Sequence, residues 1–469
     1  MNENNNSHNN SIPSFVSEYE ELSQNGDLGL LVVKDFFELI LYFEKEGIFD
    51  KALEITDLAI ERYNDIPDLF LKKAQILLAL NNTSDAFDAL DQALLLSPSE
   101  NEVKLLKANC LISEKEYNRA FSLLCDVSLS GSYRDKLNAT ISKATIHEKL
   151  KDYQQMFHQI KLVLDEEPSN EAAMEKLWCY MESQRSYHQG IEYLKVLLDK
   201  DPYAYLAWYN LGQALSCIGE YDDALSAYEY SFLIQPKFEL GYKDCGELAF
   251  QMCKYKLALR IYLDALENIG PDSELFASIG ECYLKLKDYR QARLNFRKAN
   301  RLDPYNDEVQ YHLGMCFSAE GKYDIALQHY FKAIKLEDSR EEYFAAIADA
   351  FYLSGDMDKA NYYFTKATDL GGDIPETWIA HVRFLYEIQE YDRALDVLDE
   401  ADMYTYSTEL LYYKVLVLMA VDENEEAFEV LKEALSEDFE GHYFMFARNP
   451  KLVDNQEFLS IIHYFIPEE

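Results

Sequence analysis

Residues 207–236 read AWYNLGQALSCIGEYDDALSAYEYSFLIQP. A Trp, a Leu-Gly step, a Gly-Glu-Tyr turn, an Ala-Leu pair, a Tyr and a closing Pro stand at fixed spacings. Outward from this stretch the spacing repeats. Pro98, Pro168, Pro202, Pro236 and Pro304 lie 70, 34, 34 and 68 residues apart, and a 34-residue period marks a helix-turn-helix array. Ala52, Ala86, Ala120, Ala224, Ala258, Ala292, Ala326, Ala360, Ala394 and Ala427 fall on one register, with a single-residue slip near the end. Two extra residues separate Ala120 from Ala224, and Met156 and Gly190 hold the same slot between them. Twelve units follow, starting near 33, 67, 101, 137, 171, 205, 239, 273, 307, 341, 375 and 408.

The spacing has a physical reading. Each unit holds two amphipathic helices of about a dozen residues joined by a short turn. Small residues such as Gly212, Ala224, Ala265 and Ala299 let the two helices approach to about 8–10 Å. Trp208, Tyr221 and Tyr228 fill the space between one pair and the next. Gly219, Gly321 and Gly355 stand where a helix end favours a left-handed residue. Pro236 and Pro304 end the second helix. One pair cannot bury its apolar faces alone, so pairs stack into a solenoid with a continuous core.

These units resemble the tetratricopeptide repeat. Trp208, Leu211, Gly212, Tyr221, Ala224, Tyr228 and Pro236 match its pattern, and so do Tyr242, Gly246, Tyr255, Ala258, Tyr262 and Ala265 in the next unit. Ile279, Gly280, Tyr283, Tyr289, Ala292, Phe296, Ala299 and Pro304 repeat it once more. The combination of ends and acidic repeats resembles uncharacterised multi-repeat bacterial members of the family. The resemblance implies an all-α fold: a right-handed superhelical α-solenoid of about twelve helix-turn-helix units with a C-terminal capping helix.

The expected organisation is a disordered Asn-rich tail over 1–12, a cap segment over 13–32, a solenoid over 33–441 and a C-terminal cap over 442–469. The stretch 131–204 is expected to be irregular, because Trp178 stands where Gly212 stands in the opening stretch and Met156 replaces the small alanine. In the C-terminal cap, Asp454 and Glu457 read as an N-cap pair. Phe458, Ile461, Ile462 and Phe465 then form one apolar face.

Composition narrows the function. The chain has 84 acidic residues against 44 basic ones, a formal net charge of −40. A body this negative repels phosphate backbones and anionic membranes, so neither nucleic acid nor a lipid surface is the expected partner. Hydrophobic residues make up 48%, with 36 Tyr and 26 Phe, which is core material enough to exclude wholesale disorder. No run approaches the roughly 18 apolar residues of a membrane span. The N-terminus MNENNNSHNNS lacks the basic and apolar regions of a secretory signal. The eight Cys show no C-x-x-C pair, and Cys110, Cys282 and Cys316 share one repeat position. They read as buried thiols in a reducing compartment, and the chain as cytoplasmic.

No catalytic constellation stands out: there is no G-x-S-x-G, no Gly-rich phosphate loop and no H-E-x-x-H. No cofactor or metal is expected. The resemblance leaves the concave groove as the candidate site, lined by first helices through the positions held by Leu206, Tyr209, Gln213, Ser216 and Cys217. Asn109 appears without the basic companions that chaperone-tail binders of this family use. From 239 onward the groove reads acid and aromatic: Glu247, Glu281, Asp349, Tyr311, Tyr352, Tyr386 and Tyr412, with Lys243 and Arg383 as exceptions. Glu274, Glu308, Glu342, Glu376 and Glu409 occupy first turns, where the helix dipole alone accounts for a carboxylate. The mid-helix Glu247, Glu281 and Asp349 lack that account and are expected to form a row of separate anions. The expected function is a non-catalytic scaffold or adaptor that holds a basic or aromatic protein segment, the alternative being a regulatory subunit of an enzyme complex. Oligomeric state is left open.

Overall fold

The computed structural model describes residues 31–466. The tail expected over 1–12, and the cap segment over 13–32 apart from its last two residues, lie outside them. Among the described residues there are α-helices, two short 3-10 turns and no strand. The helices gather into two compact units, the first ending at Gln235 and the second beginning at Pro236, where the sequence reads as one array. The division falls between two helices, at the register position also held by Pro202 and Pro304.

The first unit carries six pairs: α1 (Val33–Lys45) with α2 (Phe49–Arg62), α3 (Pro67–Ala79) with α4 (Thr83–Leu96), α5 (Asn101–Ser113) with α6 (Tyr117–Ser130), α7 (Tyr133–Lys149) with α8 (Tyr153–Leu164), α9 (Glu171–Gln184) with α10 (Tyr187–Lys200), and α11 (Tyr205–Cys217) with α12 (Tyr221–Ile234). The second unit carries six more: α13 (Glu239–Gln251) with α14 (Tyr255–Asn268), α15 (Ser273–Lys285) with α16 (Tyr289–Leu302), α17 (Asp307–Ser318) with α18 (Tyr323–Leu336), α19 (Glu341–Ser354) with α20 (Met357–Leu370), α21 (Pro375–Glu387) with α22 (Tyr391–Ala401), and α23 (Thr408–Ala420) with α24 (Asn424–Glu437). All ten alanines of the register are fully buried. Their methyls sit where a larger side chain would hold the paired helices apart.

Glycine in the first helix does the same against an aromatic ring sixteen residues on. A Cβ added at Gly246 would lie 2.4 Å from Tyr262, at Gly280 2.7 Å from Phe296 and at Gly314 2.4 Å from Tyr330. Gly212 meets Tyr228 in the same way at 2.7 Å.

The turn inside each pair places one residue in the left-handed region. Gly219, Gly321 and Gly355 have φ of 84°, 73° and 95°, as their position requires. The same slot is held by Gly47, Asn81, Lys115, Lys151, Arg185, Cys253, Lys287, Gln389 and Asp422, all with positive φ. The turn geometry is therefore imposed by the pair even where the side chain disfavours it. The two-residue insertion lies between the turns at Lys115 and Lys151, and the single-residue slip between those at Gln389 and Asp422.

The irregular stretch is localised. α7 begins four residues ahead of its register and runs for 17 residues, so the insertion is absorbed by a longer helix. Ser132 caps it: its Oγ accepts from the Asp135 N–H at 3.3 Å, and the Asp135 carboxylate accepts from the Ser132 N–H at 2.9 Å. α9 and α10 meet over less of their length than neighbouring pairs do. Trp178 is only partly buried and lies 6.2 Å from the Tyr187 ring. Gly190 yields its space to Met181, whose sulfur would be 1.9 Å from an added Cβ.

At the C-terminal end, α25 (Tyr443–Arg448) and α26 (Gln456–Tyr464) close the second unit. Phe458 and Ile462 are buried, and Ile461 and Phe465 pack against the same core, as the apolar face requires. The N-cap is Asn455, not Asp454: the Asn455 Oδ1 accepts from the Phe458 N–H at 3.0 Å, and Asp454 ends the preceding 3-10 turn.

Candidate functional site

First helices touch the next first helix along each unit. In the first unit Lys72 of α3 reaches Glu44 of α1 at 3.2 Å, and Ser142 of α7 donates to Asn109 of α5 at 2.9 Å. Lys176 of α9 reaches Glu148 of α7 at 2.7 Å, and the Asn210 amide of α11 donates to the Met174 carbonyl of α9 at 2.9 Å. Tyr209 and Gln213 stand one turn apart on α11, where the Gln213 amide donates to the Tyr209 hydroxyl at 3.2 Å. Leu206, on the same helix, is buried.

In the second unit the same row carries the acid and aromatic residues. The structure brings them together unevenly. Lys243 of α13 pairs with Glu274 of α15 at 3.0 Å, and that hydrogen bond raises the Lys243 pKa. Both side chains are exposed, so the pair is worth little. Glu247, one turn on, is exposed, accepts from the Gln251 amide at 3.2 Å and stands in no ion pair among the described residues, though its charge reaches Lys243.

Glu281 of α15 differs. Burial and the neighbouring Glu308 push its pKa up to about 7, opposed by Lys285. Its Oε1 lies 3.8 Å from Nδ1 of His312 on α17, a buried nitrogen with no hydrogen-bond partner among the described residues. Burial lowers the His312 pKa to about 4, so the imidazole is neutral and its ring stacks on Phe296 at 5.2 Å.

Asp349 of α19 forms an ion pair with Arg383 of α21 at 3.3 Å; partial burial raises its pKa and Arg383 draws it back. The expected row of separate anions is thus one free carboxylate, one carboxyl that titrates near neutrality and one half of an ion pair. Helix-to-helix contact causes this for two of the three, since the next first helix places His312 beside Glu281 and Arg383 beside Asp349.

The aromatics divide likewise. The Tyr352 hydroxyl donates to Glu387 Oε2 at 2.8 Å, and its ring packs edge-on to Phe384 at 5.4 Å. Tyr386 is partly exposed beside Tyr391 at 5.7 Å. Tyr311 is wedged against Tyr343 at 4.8 Å and Tyr330 at 5.8 Å, and burial pushes its pKa up to about 12. Tyr412 presents no face to a ligand. It is 1% exposed, and its hydroxyl donates to the Asp438 carbonyl beneath the C-terminal cap. α23 is the last first helix, and the cap covers the side on which the other units leave that position partly open.

Two residues of the site lay outside the sequence expectation. Glu387 ends α21, directly after Tyr386, and Arg448 reaches it from α25 at 2.8 Å. Only the adjacency of Glu387 to Tyr386 marks the first, and no periodicity marks the second. Among the described residues no group of three or more His, Cys, Asp or Glu is arranged to hold a metal ion. All eight cysteines are free thiols. Cys110, Cys282 and Cys316 are buried, and burial pushes the Cys282 and Cys316 thiols up to about 12. No described helix is long and apolar enough to cross a membrane.

Within each unit, paired helices in register with first helices set side by side define a helical-repeat protein. The repeat is the tetratricopeptide repeat: family models of that description match residues 71–134 and 180–235, and residues 273–306. These matches, outside which the same pairing continues, support a multi-repeat tetratricopeptide repeat protein. The chain is similar to the TPR repeat-containing protein MJ1428 of Methanocaldococcus jannaschii, 24% identical over 320 residues, or 60% of this chain and 52% of that protein. It is also similar to the TPR repeat-containing protein YpiA of Bacillus subtilis, 25% identical over 268 residues, or 55% of this chain and 58% of that one. The match spans little more than half the length of either relative. Among solved structures, YrrB, described as a TPR protein with an unusual peptide-binding site, overlaps 39% of this chain and 95% of its own at 21% identity and a TM-score of 0.34. Yeast Tom70 overlaps 86% of this chain and 96% of its own at 15% identity and a TM-score of 0.37.

Proposed function

We propose that the chain is a non-catalytic scaffold or adaptor, and that the first-helix row of the second unit holds a partner segment presenting arginine or lysine. The observation that carries this reading is the row itself. From α13 to α21 it exposes carboxylates and partly exposed tyrosines on successive helices, within a chain of formal net charge −40. Such a field steers a cation inward and weakens with salt. Glu247 offers the free negative charge, and Tyr352 and Tyr386 offer ring surface for a cation, each contact worth about 0.5–2 kcal/mol.

The pairing seen in the structure ranks the carboxylates. Glu247→Gln removes an anion held in no ion pair, with Lys243 in its field, whereas Asp349→Gln mainly frees Arg383. The combined change of Glu247, Glu281 and Asp349 to Gln is expected to weaken binding of a fluorescein-labelled, alternating arginine–alanine peptide by about three- to tenfold at low ionic strength. Most of that loss should already be present in Glu247→Gln. Fluorescence anisotropy at low and high salt measures it, and helix content by circular dichroism should be unchanged. A triple variant that binds the peptide as the parent does at low salt would make these carboxylates a solvated face and nothing more.

A further inference from the structure

We infer that Glu387 is an arginine-binding subsite at the end of this row, and that Arg448 of the chain's own C-terminal segment occupies it until a partner's arginine takes its place. The inference rests on the binding surface proposed above and names one position on it, together with the chemistry of what binds there.

The chain displays the ligand that the site accepts. Arg448 closes α25 and lies 61 residues beyond Glu387 in sequence. Its Nη1 donates to Glu387 Oε1 at 2.8 Å, while the Tyr352 hydroxyl donates to the other carboxylate oxygen at 2.8 Å. The guanidinium lies 5.6 Å over the Phe444 ring, and Phe444 packs edge-on to Tyr413 at 4.8 Å.

Tyr413 supplies the second, independent observation. Its side chain is 1% exposed and its hydroxyl has no hydrogen-bond partner among the described residues. That hydroxyl lies in the field of Arg448, Arg383, Glu409 and Glu387. A buried phenol with no partner is unfavourable. Its oxygen is left without a donor while Arg448 holds Glu387. A guanidinium carries five such donors in a planar fork, and Arg448 places one of them on Glu387. An arginine free of the tether imposed by α25 can add others.

Exchange is feasible because both partners of the existing bond meet water. The Arg448 and Glu387 side chains are 34% and 31% exposed, so replacing one arginine by another uncovers no buried charge, and exposed pairs of this kind are weak. The released Arg448 moves into solvent with its charge hydrated. Lysine is the poorer guest, since an ammonium cannot present the planar fork that matches a carboxylate.

The test uses the full chain and a fluorescein-labelled nine-residue peptide with one central arginine flanked by glycine and phenylalanine. Arg448→Gln is expected to raise its affinity about three- to tenfold, the gain when a competitor that fills the site about 70–90% of the time is removed. The same peptide with central lysine should gain less. Adding Glu387→Gln should abolish the gain. Arg448→Lys, which keeps the charge and loses the fork, should fall between parent and Arg448→Gln and guards against a packing defect in the latter. An unchanged affinity in both Arg448 variants overturns the inference, and so does a gain that survives Glu387→Gln. If the Arg448 variants gain nothing while Glu247→Gln still weakens the parent, the Glu387 assignment alone falls. If no form binds the arginine peptide, the binding surface falls with it.

Discussion

Truncating Phe296 to alanine is expected to destabilise the second unit by about 3–5 kcal/mol, the range for deleting a buried aromatic ring. Phe296 is fully buried on α16 and lies over Gly280 of α15, the position at which an added Cβ would be 2.7 Å from the ring. Ring and glycine are one device: the absent side chain makes the slot and the ring fills it. The reverse change therefore also costs. Gly280→Val in the parent drives a branched side chain into the ring, an overpacking expected at about 1–3 kcal/mol or more. In the Phe296→Ala background the same valine enters the vacated space and should restore part of the loss. Residues in direct contact are where additivity fails. Urea unfolding followed by circular dichroism, with hydrogen exchange over α15 and α16 as the local readout, measures the cycle. Equal cost for Gly280→Val in both backgrounds would contradict the packing account.

The second large effect is acid destabilisation of the same unit. Three histidines there are held well below their ordinary pKa, each at about 4, chiefly by burial: His312, His329 and His381. His381 is 3% exposed, stacks on Phe364 at 5.7 Å and meets the Asn361 side-chain oxygen at 3.2 Å through Nε2. His329 stacks on Phe317 at 5.5 Å and bonds Gln310 at 2.9 Å. In the unfolded chain each histidine takes up its proton near pH 6.5. Their contribution is complete above that value and is lost as pH falls from about 6.5 towards 4. By pH 5 the loss is up to about 2 kcal/mol per histidine. Glu281 works in the opposite sense. Its folded form holds a proton up to about pH 7 that the unfolded chain releases near 4.5, so its contribution declines as pH rises through that window. Asp349 and Glu342, both raised chiefly by burial, act in the same sense as Glu281, so the comparison of the parent with a histidine variant, rather than the parent alone, carries the test. Urea midpoints at pH 7.5 and pH 5.0, for the parent and for His381→Gln, isolate the effect from the changing net charge. The parent should lose more stability on acidification than the variant, by up to about 2 kcal/mol. Equal losses would show that His381 is not held neutral by the fold.

Much of this fold is legible in the sequence because helix pairing is encoded by size at fixed spacing. Eleven of the twelve first helices begin where the register puts them, and the exception, α7, begins early because it absorbs the two-residue insertion. The buried alanines, the glycine–ring contacts and the proline stops each repeat, so each unit corroborates its neighbours. The left-handed turn at Lys115, Lys151 or Lys287 is invisible one residue at a time, since nothing about lysine signals it. The register of the glycine turns is what reveals it.

The site is less legible, because its chemistry lies between repeats. Reading Glu281 and Asp349 along the chain finds two mid-helix acids. What each one does depends on His312 and Arg383, one helix pair away. Tyr412 stands four residues past the start of its first helix, as Tyr311 does, yet it is sealed by Asp438 and Gly441 of the C-terminal segment. Arg448 arrives from outside the repeat altogether. Periodicity reports where a side chain stands and is silent about a neighbour that breaks the period.

Partners are expected to be held by the first-helix row of the second unit. A photo-crosslinking residue placed in turn at Glu247, Met315 and Tyr386 on first helices, and at Leu294 and Tyr362 on the outward side of second helices, tests it most directly. Leu294 and Tyr362 are 50% and 55% exposed, so access alone does not favour the first set. With the labelled arginine peptide, and then with native extract followed by mass spectrometry, salt-sensitive crosslinks are expected from the first-helix positions and none above background from the other two. Crosslinks of equal yield from both sets, or from Leu294 and Tyr362 alone, would contradict it.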